Sequence, residues 1–165
     1  MSGDGDRFAV VVSRFNIPVT KKLLDGAIDC LTQHGVRNED IQIFPCPGAF
    51  ELPQVAAQLC ASGRWDAVIC LGAVIRGETP HFEYVSTEAA RGIQEVALRY
   101  SIPVTFGVLT TDTVRQAQER AGGKHGNKGW DAALASLEMT ELFGRLRKRK
   151  KSVSKKKLGG DVRNR

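Results

Sequence analysis

Arg76 and His81 are the only basic groups in residues 72–81, GAVIRGETPH, and only the imidazole exchanges protons near neutral pH. The residues just ahead of His81 read as a helix start, with Thr79 as N-cap and Pro80 at the first helical position. A helix N-terminus disfavours a cation, which suits a ring that takes up a proton and hands it back. A lone histidine is more often solvated than catalytic, and His34 near a helix end and His125 in a loop read that way. Residues 122–129, GGKHGNKG, together with Arg120, Lys124 and Lys128, offer backbone amides and cations suited to one phosphate, or else a solvated loop. Gly72 and Gly77 have the glycine spacing of a phosphate-binding loop, but Glu78-Thr79 follows where Lys-Ser/Thr would be required. No G-x-G-x-x-G follows a strand, and no metal-ligand spacing or nucleophile triad is present, so proton transfer and phosphate binding are the chemistry left.

The elements that must position these groups are legible from hydrophobic pattern. Residues 67–71, AVICL, are too continuously apolar for a strand with one wet face, and residues 7–13, RFAVVVS, repeat the pattern. Two more strands are expected at 41–44 and 103–109. Helices are expected from Pro18 to Gly35, over 51–61, from Pro80 to about Tyr100, from Asp112 or Thr113 to Ala121, and from about Trp130 into the tail. Alternating strands and helices imply a single three-layer α/β/α sandwich with a four-stranded parallel sheet, flavodoxin-like in architecture. Ligands of open α/β sheets bind beyond the strand carboxyl ends, where Phe15-Asn16, Gly48-Ala49-Phe50-Glu51, residues 73–81 and the segment around Phe106 are delivered. An aromatic, a carboxylate, an imidazole and a basic loop along one sheet edge suit a pocket for a polar heterocycle and an anion. Individually, Phe15 can instead close the core, and Gly48 to Glu51 can be only a tight turn before a helix.

Composition bounds the class. The 165 residues carry 42% hydrophobic and 25% charged side chains, ordinary for one globular domain. The net charge of +6 is uneven: residues 1–144 hold 13 Lys+Arg against 17 Asp+Glu, and residues 145–165 hold 11 against one. The body is therefore not expected to bind nucleic acid. The expected division is a folded domain over 1–150 and a basic tail over 151–165, disordered past about Lys151. Cys30, Cys46, Cys60 and Cys70 lack disulfide or zinc spacing and read as reduced core thiols of a cytoplasmic protein, with no secretory segment ahead of them.

The stretches VVSRFN, PGAFELP, LGAVIRGETPHFEYV, PVTFGVLTTDT and QERAGGKHGNKGWDAA occur in one order and span roughly residues 7–142. In these the chain closely resembles the 6,7-dimethyl-8-ribityllumazine synthases. The resemblance implies condensation of 5-amino-6-(D-ribitylamino)uracil with 3,4-dihydroxy-2-butanone 4-phosphate, with loss of phosphate and water and no metal or organic cofactor. It implies that Phe15 stacks on the pyrimidine, that Ala49, Phe50 and Glu51 hold the ribityl-uracil, and that the Ala73-Val74-Ile75 backbone reads the ring's polar edge. Glu78 and Thr79 would lie against the phosphate-bearing substrate, His81 would transfer protons, and Arg120 would bind phosphate with Lys124 and Lys128 assisting. Phe106 and the Arg120 loop would reach a neighbouring subunit's pocket, which makes a homopentamer the smallest catalytic unit. The short 122–129 connection resembles members whose pentamers build an icosahedral shell. Two departures stand out: only six residues precede the first core strand, and the lysine-rich tail is not part of the family pattern. Rival readings are a flavin or nucleotide binder without catalysis and a shell-forming scaffold.

Overall fold

The computed structural model describes residues 2–159, with side chains described through residue 147. The sheet is parallel throughout and ordered β2-β1-β3-β4, formed by β1 (Phe8–Ser13), β2 (Ile41–Cys46), β3 (Ala67–Ile75) and β4 (Val104–Thr111). The continuous apolar runs arise because both faces of the central strands are covered. In β1, Phe8, Val10 and Val12 enter one core while Ala9 and Val11 enter the other. In β3, Ile69, Leu71 and Ala73 join the first core, and Val68, Cys70 and Val74 join the second. Helix α1 (Ile17–Gln33) covers the first face with Leu23, Ala27 and Leu31, and α5 (Lys128–Gly159) packs beside it with Ala133 and Leu137. The opposite face is covered by α2 (Leu52–Ala61) and α3 (His81–Arg99), through Leu52, Ala56, Ala89, Ile93 and Val96. The expected three layers are present, and the short α4 (Val114–Arg120) leads from β4 towards α5.

The chain leaves β1 towards β2 on one side and returns past β1 to β3 on the other. The carboxyl ends of β1 and β3 therefore mark the place where the strand order reverses, and a crevice opens there.

Several boundaries differ from the sequence expectation for identifiable reasons. β3 does not stop at Leu71 but runs to Ile75, because β4 pairs with it all the way to Thr111. Gly72 is thus a strand residue, not a loop residue. A Cβ there would stand 3.2 Å from both Leu52 Cδ1 and Ser13 Oγ, so the glycine lets β3 pass under the start of α2. β2 continues through Pro45 to Cys46, which an edge strand tolerates because one side needs no ladder donors. Pro80, rather than Thr79, is the N-cap of α3, and no side chain caps that helix. At α4 the cap is Thr113, whose hydroxyl accepts from the Gln116 amide at 3.1 Å. The glycine-rich loop is a small antiparallel hairpin, β5 (Ala121–Gly123) with β6 (Gly126–Asn127). Helix α5 is described as far as Gly159, over part of the 151–165 segment that the sequence reading gave to a basic tail. Residues 160–165 of that expected tail lie outside the described residues.

Candidate active site

Beyond the carboxyl ends of β1, β2 and β3 the chain encloses a cavity of about 590 Å³. Each wall comes from a different element. Phe15 follows β1 and is 71% exposed, which removes the reading of it as a core lid. Its loop is held by Asn16, which takes the left-handed conformation (φ 61°) that asparagine tolerates better than most residues. Asn16 Nδ2 donates to the Ala73 carbonyl at 2.9 Å, so the loop after β1 is pinned to the end of β3. The same residue's carbonyl accepts from the Val19 and Thr20 amides and starts α1.

A second wall is the turn after β2. Gly48 precedes a short 3-10 turn, Ala49–Glu51, that runs straight into α2. Ala49 is buried, whereas Phe50 is 57% exposed, so its ring, like that of Phe15, is not part of the core. Glu51 Oε2 lies 3.1 Å from where a Cβ on Gly48 would stand, so the glycine leaves that carboxylate its space. Behind this wall Cys46 Sγ donates to the Gly48 carbonyl at 3.4 Å, and burial pushes its thiol up to about 11. It is a protonated packing group at neutral pH, not a nucleophile.

The floor is the last turn of β3, Ala73 to Ile75, and the remaining wall is the first part of α3. His81 is the first residue of α3 and lines the cavity together with Thr79. Phe82, Tyr84 and Val85 line it as well, and sequence reasoning missed them, as it missed Gly77. The signal for two of them was available: Tyr84 and Val85 lie three and four positions after His81 and share its helix face.

Nine of the sequence-predicted residues thus meet in one cavity: Phe15, Ala49, Phe50, Glu51, Ala73, Val74, Ile75, Thr79 and His81. The remainder do not. Glu78 sits in the same connection but is exposed and does not line the cavity. Phe106, Arg120 and Lys128 line a separate groove of about 470 Å³ between β4 and α5. There Arg120 donates from Nη1 to the Gln116 carbonyl one turn earlier (3.1 Å), and Lys128 Nζ pairs with Asp131 at 2.7 Å. Lys124 is in the turn of the β5–β6 hairpin, exposed, and lines neither. Among the described residues no group of three or more His, Cys, Asp or Glu could hold a metal ion.

The geometry offers an aromatic platform, a carboxylate, strand-end backbone and an imidazole around one space, and an arginine–lysine pair around another. Comparison with known proteins agrees with a single family. Residues 5–144 match the model described as 6,7-dimethyl-8-ribityllumazine synthase. The chain is 58% identical over 139 residues to the 6,7-dimethyl-8-ribityllumazine synthase of Syntrophus aciditrophicus, covering 84% of this chain and 90% of that one. It is 52% identical over 143 residues to the enzyme of that name from Chloroherpeton thalassium, covering 87% and 92%. A third such protein, from Prosthecochloris aestuarii, is 58% identical over 137 residues, covering 83% and 88%.

Proposed function

The chain belongs to the 6,7-dimethyl-8-ribityllumazine synthase family, a transferase family of riboflavin biosynthesis, and on that premise we propose how its residues share the work. The reaction condenses 5-amino-6-(D-ribitylamino)uracil with 3,4-dihydroxy-2-butanone 4-phosphate and releases phosphate and water. The rival readings of a flavin binder or an inert scaffold are not favoured by relatives this similar.

The observation that carries the assignment of residues is the cavity in which Phe15 and His81 face the same space. Phe15 offers its exposed ring as a stacking surface for the pyrimidine, and the backbone of Ala73, Val74 and Ile75 reads the polar ring edge. Ala49, Phe50 and Glu51 hold the ribityl chain, the carboxylate accepting from its hydroxyls. Glu78 and Thr79 approach the phosphate-bearing substrate from the start of α3.

Attack of the 5-amino group on the ketone gives an imine and expels water. Elimination then expels phosphate and leaves, after tautomerisation, a second ketone. Closure of the ribitylamino nitrogen onto that ketone expels a second water and completes the second ring. Each stage moves a proton between nitrogen, carbon and oxygen, and His81 relays it; its position in the cavity lining supports that role. Phosphate departs as an anion, so its barrier falls if cations hold it throughout, the role of Arg120 with Lys128 and Lys124. Neither task needs a strong nucleophile; both need oriented reactants.

Arg120 and Phe106 line a groove apart from their own chain's cavity, which supports the reading that they complete a neighbouring subunit's site. The exposure of Tyr84 and Leu98 supports burial against other copies. On this reading the enzyme is a homopentamer, assembled further into an icosahedral shell. Four free buried cysteines support a reducing, cytoplasmic setting, and no helix among the described residues is long and apolar enough to cross a membrane. The catalytic domain is placed at 1–150, with 151–165 as a basic appendage.

The test mixes both substrates with purified protein, follows lumazine absorbance and phosphate release, and weighs the same sample by native mass spectrometry. Equal yields of lumazine and phosphate from a pentamer-based particle are expected. An intact particle that makes no lumazine would overturn the enzyme reading, and full activity in a monomer would overturn the shared site.

A further inference from the structure

Arg76 lies between Ile75 and Gly77, which both line the cavity, and has no part in the division of labour above. It follows β3 directly, and its backbone amide donates to the Thr111 carbonyl at 2.8 Å. Its guanidinium meets three partners at once. Nη1 donates to Glu83 Oε1 at 2.6 Å, and Nε donates to Asp112 Oδ1 at 2.8 Å. Its carbon Cζ lies 4.2 Å from the centre of the Phe82 ring. A planar fork can serve two carboxylates and a ring face together, which a lysine ammonium cannot.

The partners belong to two different turns. Phe82 and Glu83 are in the first turn of α3, directly after His81, and Phe82 lines the cavity beside it. Asp112 is in the turn between β4 and α4, where its amide donates to Gln116 Oε1 at 2.9 Å and Thr113 caps the helix that ends in Arg120. One side chain therefore ties the turn that carries His81 to the turn from which the Arg120 helix departs.

The first of those turns lacks other support of this kind. The N-cap of α3 is Pro80, and no side chain caps the helix, so its opening amides lack the usual local partner. His81 is the first residue of that helix and shares any movement of it. Proton transfer tolerates little movement, because donor and acceptor must stay within hydrogen-bond reach.

We propose that Arg76 is a positioning residue for this reaction: by bridging Glu83 and Asp112 and stacking on Phe82, it fixes the first turn of α3 and so aims the His81 imidazole. The inference rests on the reading of His81 as the proton relay. Arg76, Glu83 and Asp112 are all well exposed, with 43%, 57% and 66% of their side-chain surface accessible, so the ion pairs add little to folding stability. Their contribution lies in orientation, and that separates this role from a merely structural one.

The test compares wild type, Arg76→Ala, Arg76→Lys, His81→Ala and the double variant Arg76→Ala/His81→Ala, measuring kcat, KM for each substrate, and thermal midpoint. Arg76→Ala is expected to lower kcat about tenfold with an unmoved midpoint. Its KM for the ribitylaminouracil should stay within about twofold, since Phe15, Glu51 and the β3 backbone are held independently. Arg76→Lys should recover only part of the loss, because one ammonium reaches one carboxylate. In the His81→Ala background the Arg76 substitution should cost nothing further, as no imidazole remains to be aimed. An equal loss in both backgrounds, or an unchanged kcat in Arg76→Ala beside an impaired His81→Ala, would overturn this inference alone. An inactive wild type, or His81→Ala at full rate, would overturn the functional reading and this inference with it.

Discussion

The cavity past β3 is walled by strand-end backbone and aromatic rings, whereas the groove beside β4 and α5 is lined by Arg120, Lys128 and Asp131 together with a single ring, Phe106. On the proposed reading the first holds a flat, neutral heterocycle and moves protons over it, and the second holds an anion. The proposal gives both to one reaction, yet they lie on opposite faces of the sheet, one towards α2 and α3 and the other towards α5. The two share no lining residue, and His81 lines only the first. The difference is what the shared-site proposal rests on: two separate sets of residues on one chain, which subunit association would join.

The sharpest way to break that comparison is complementation. His81→Ala should lower kcat, and Arg120→Ala should raise KM for the phosphate-bearing substrate, each costing about two orders of magnitude in kcat/KM. If the two halves belong to different subunits, particles co-assembled from both variants regain activity well above either parent, because some interfaces carry an intact His81 facing an intact Arg120. Activity no greater than the average of the parents would place both halves in one chain's site.

A smaller effect sharpens the account of the cavity. Phe15→Ala should raise KM for the ribitylaminouracil about tenfold, the worth of one base–aromatic stack, and leave the thermal midpoint almost unchanged. The midpoint follows from exposure: a ring 71% accessible contributes little to the core. A fall in stability with unchanged KM would return Phe15 to a packing role.

The smallest effect concerns the wall behind the cavity. Burial pushes the thiols of Cys30, Cys46 and Cys60 from 9.0 up to about 11, and that of Cys70 up as well. Their folded values lie above their unfolded ones, so the unfolded chain loses thiol protons first as pH rises. Stability from these groups is therefore complete below pH 9 and is lost between pH 9 and about 11. A thermal-midpoint series across that window should fall, while native thiols stay unreactive to a thiol reagent at pH 8; a flat series would contradict the burial argument.

Much of this was legible in the chain alone. Unbroken runs such as AVICL and AVVV fit strands covered on both faces, and with helical repeats between them they point to a parallel sheet and its two helical layers. The motif stretches carried the chemistry as far as residue types go, including His81, Arg120 and Glu51. What the pattern could not supply was pairing and proximity. β3 reaches Ile75 because β4 offers partners to that point, a fact about a strand thirty-odd residues away in sequence. Phe15 lines a cavity rather than closing a core because Asn16 pins its loop to Ala73, and Tyr84 joins it because α3 starts where Arg76 holds it. Sequence determined which surfaces must leave water and which residues could do chemistry, since both follow from side-chain type and local period. Only tertiary structure decided which of them share a space, because that depends on contacts between segments whose separation along the chain encodes nothing about their separation in the fold.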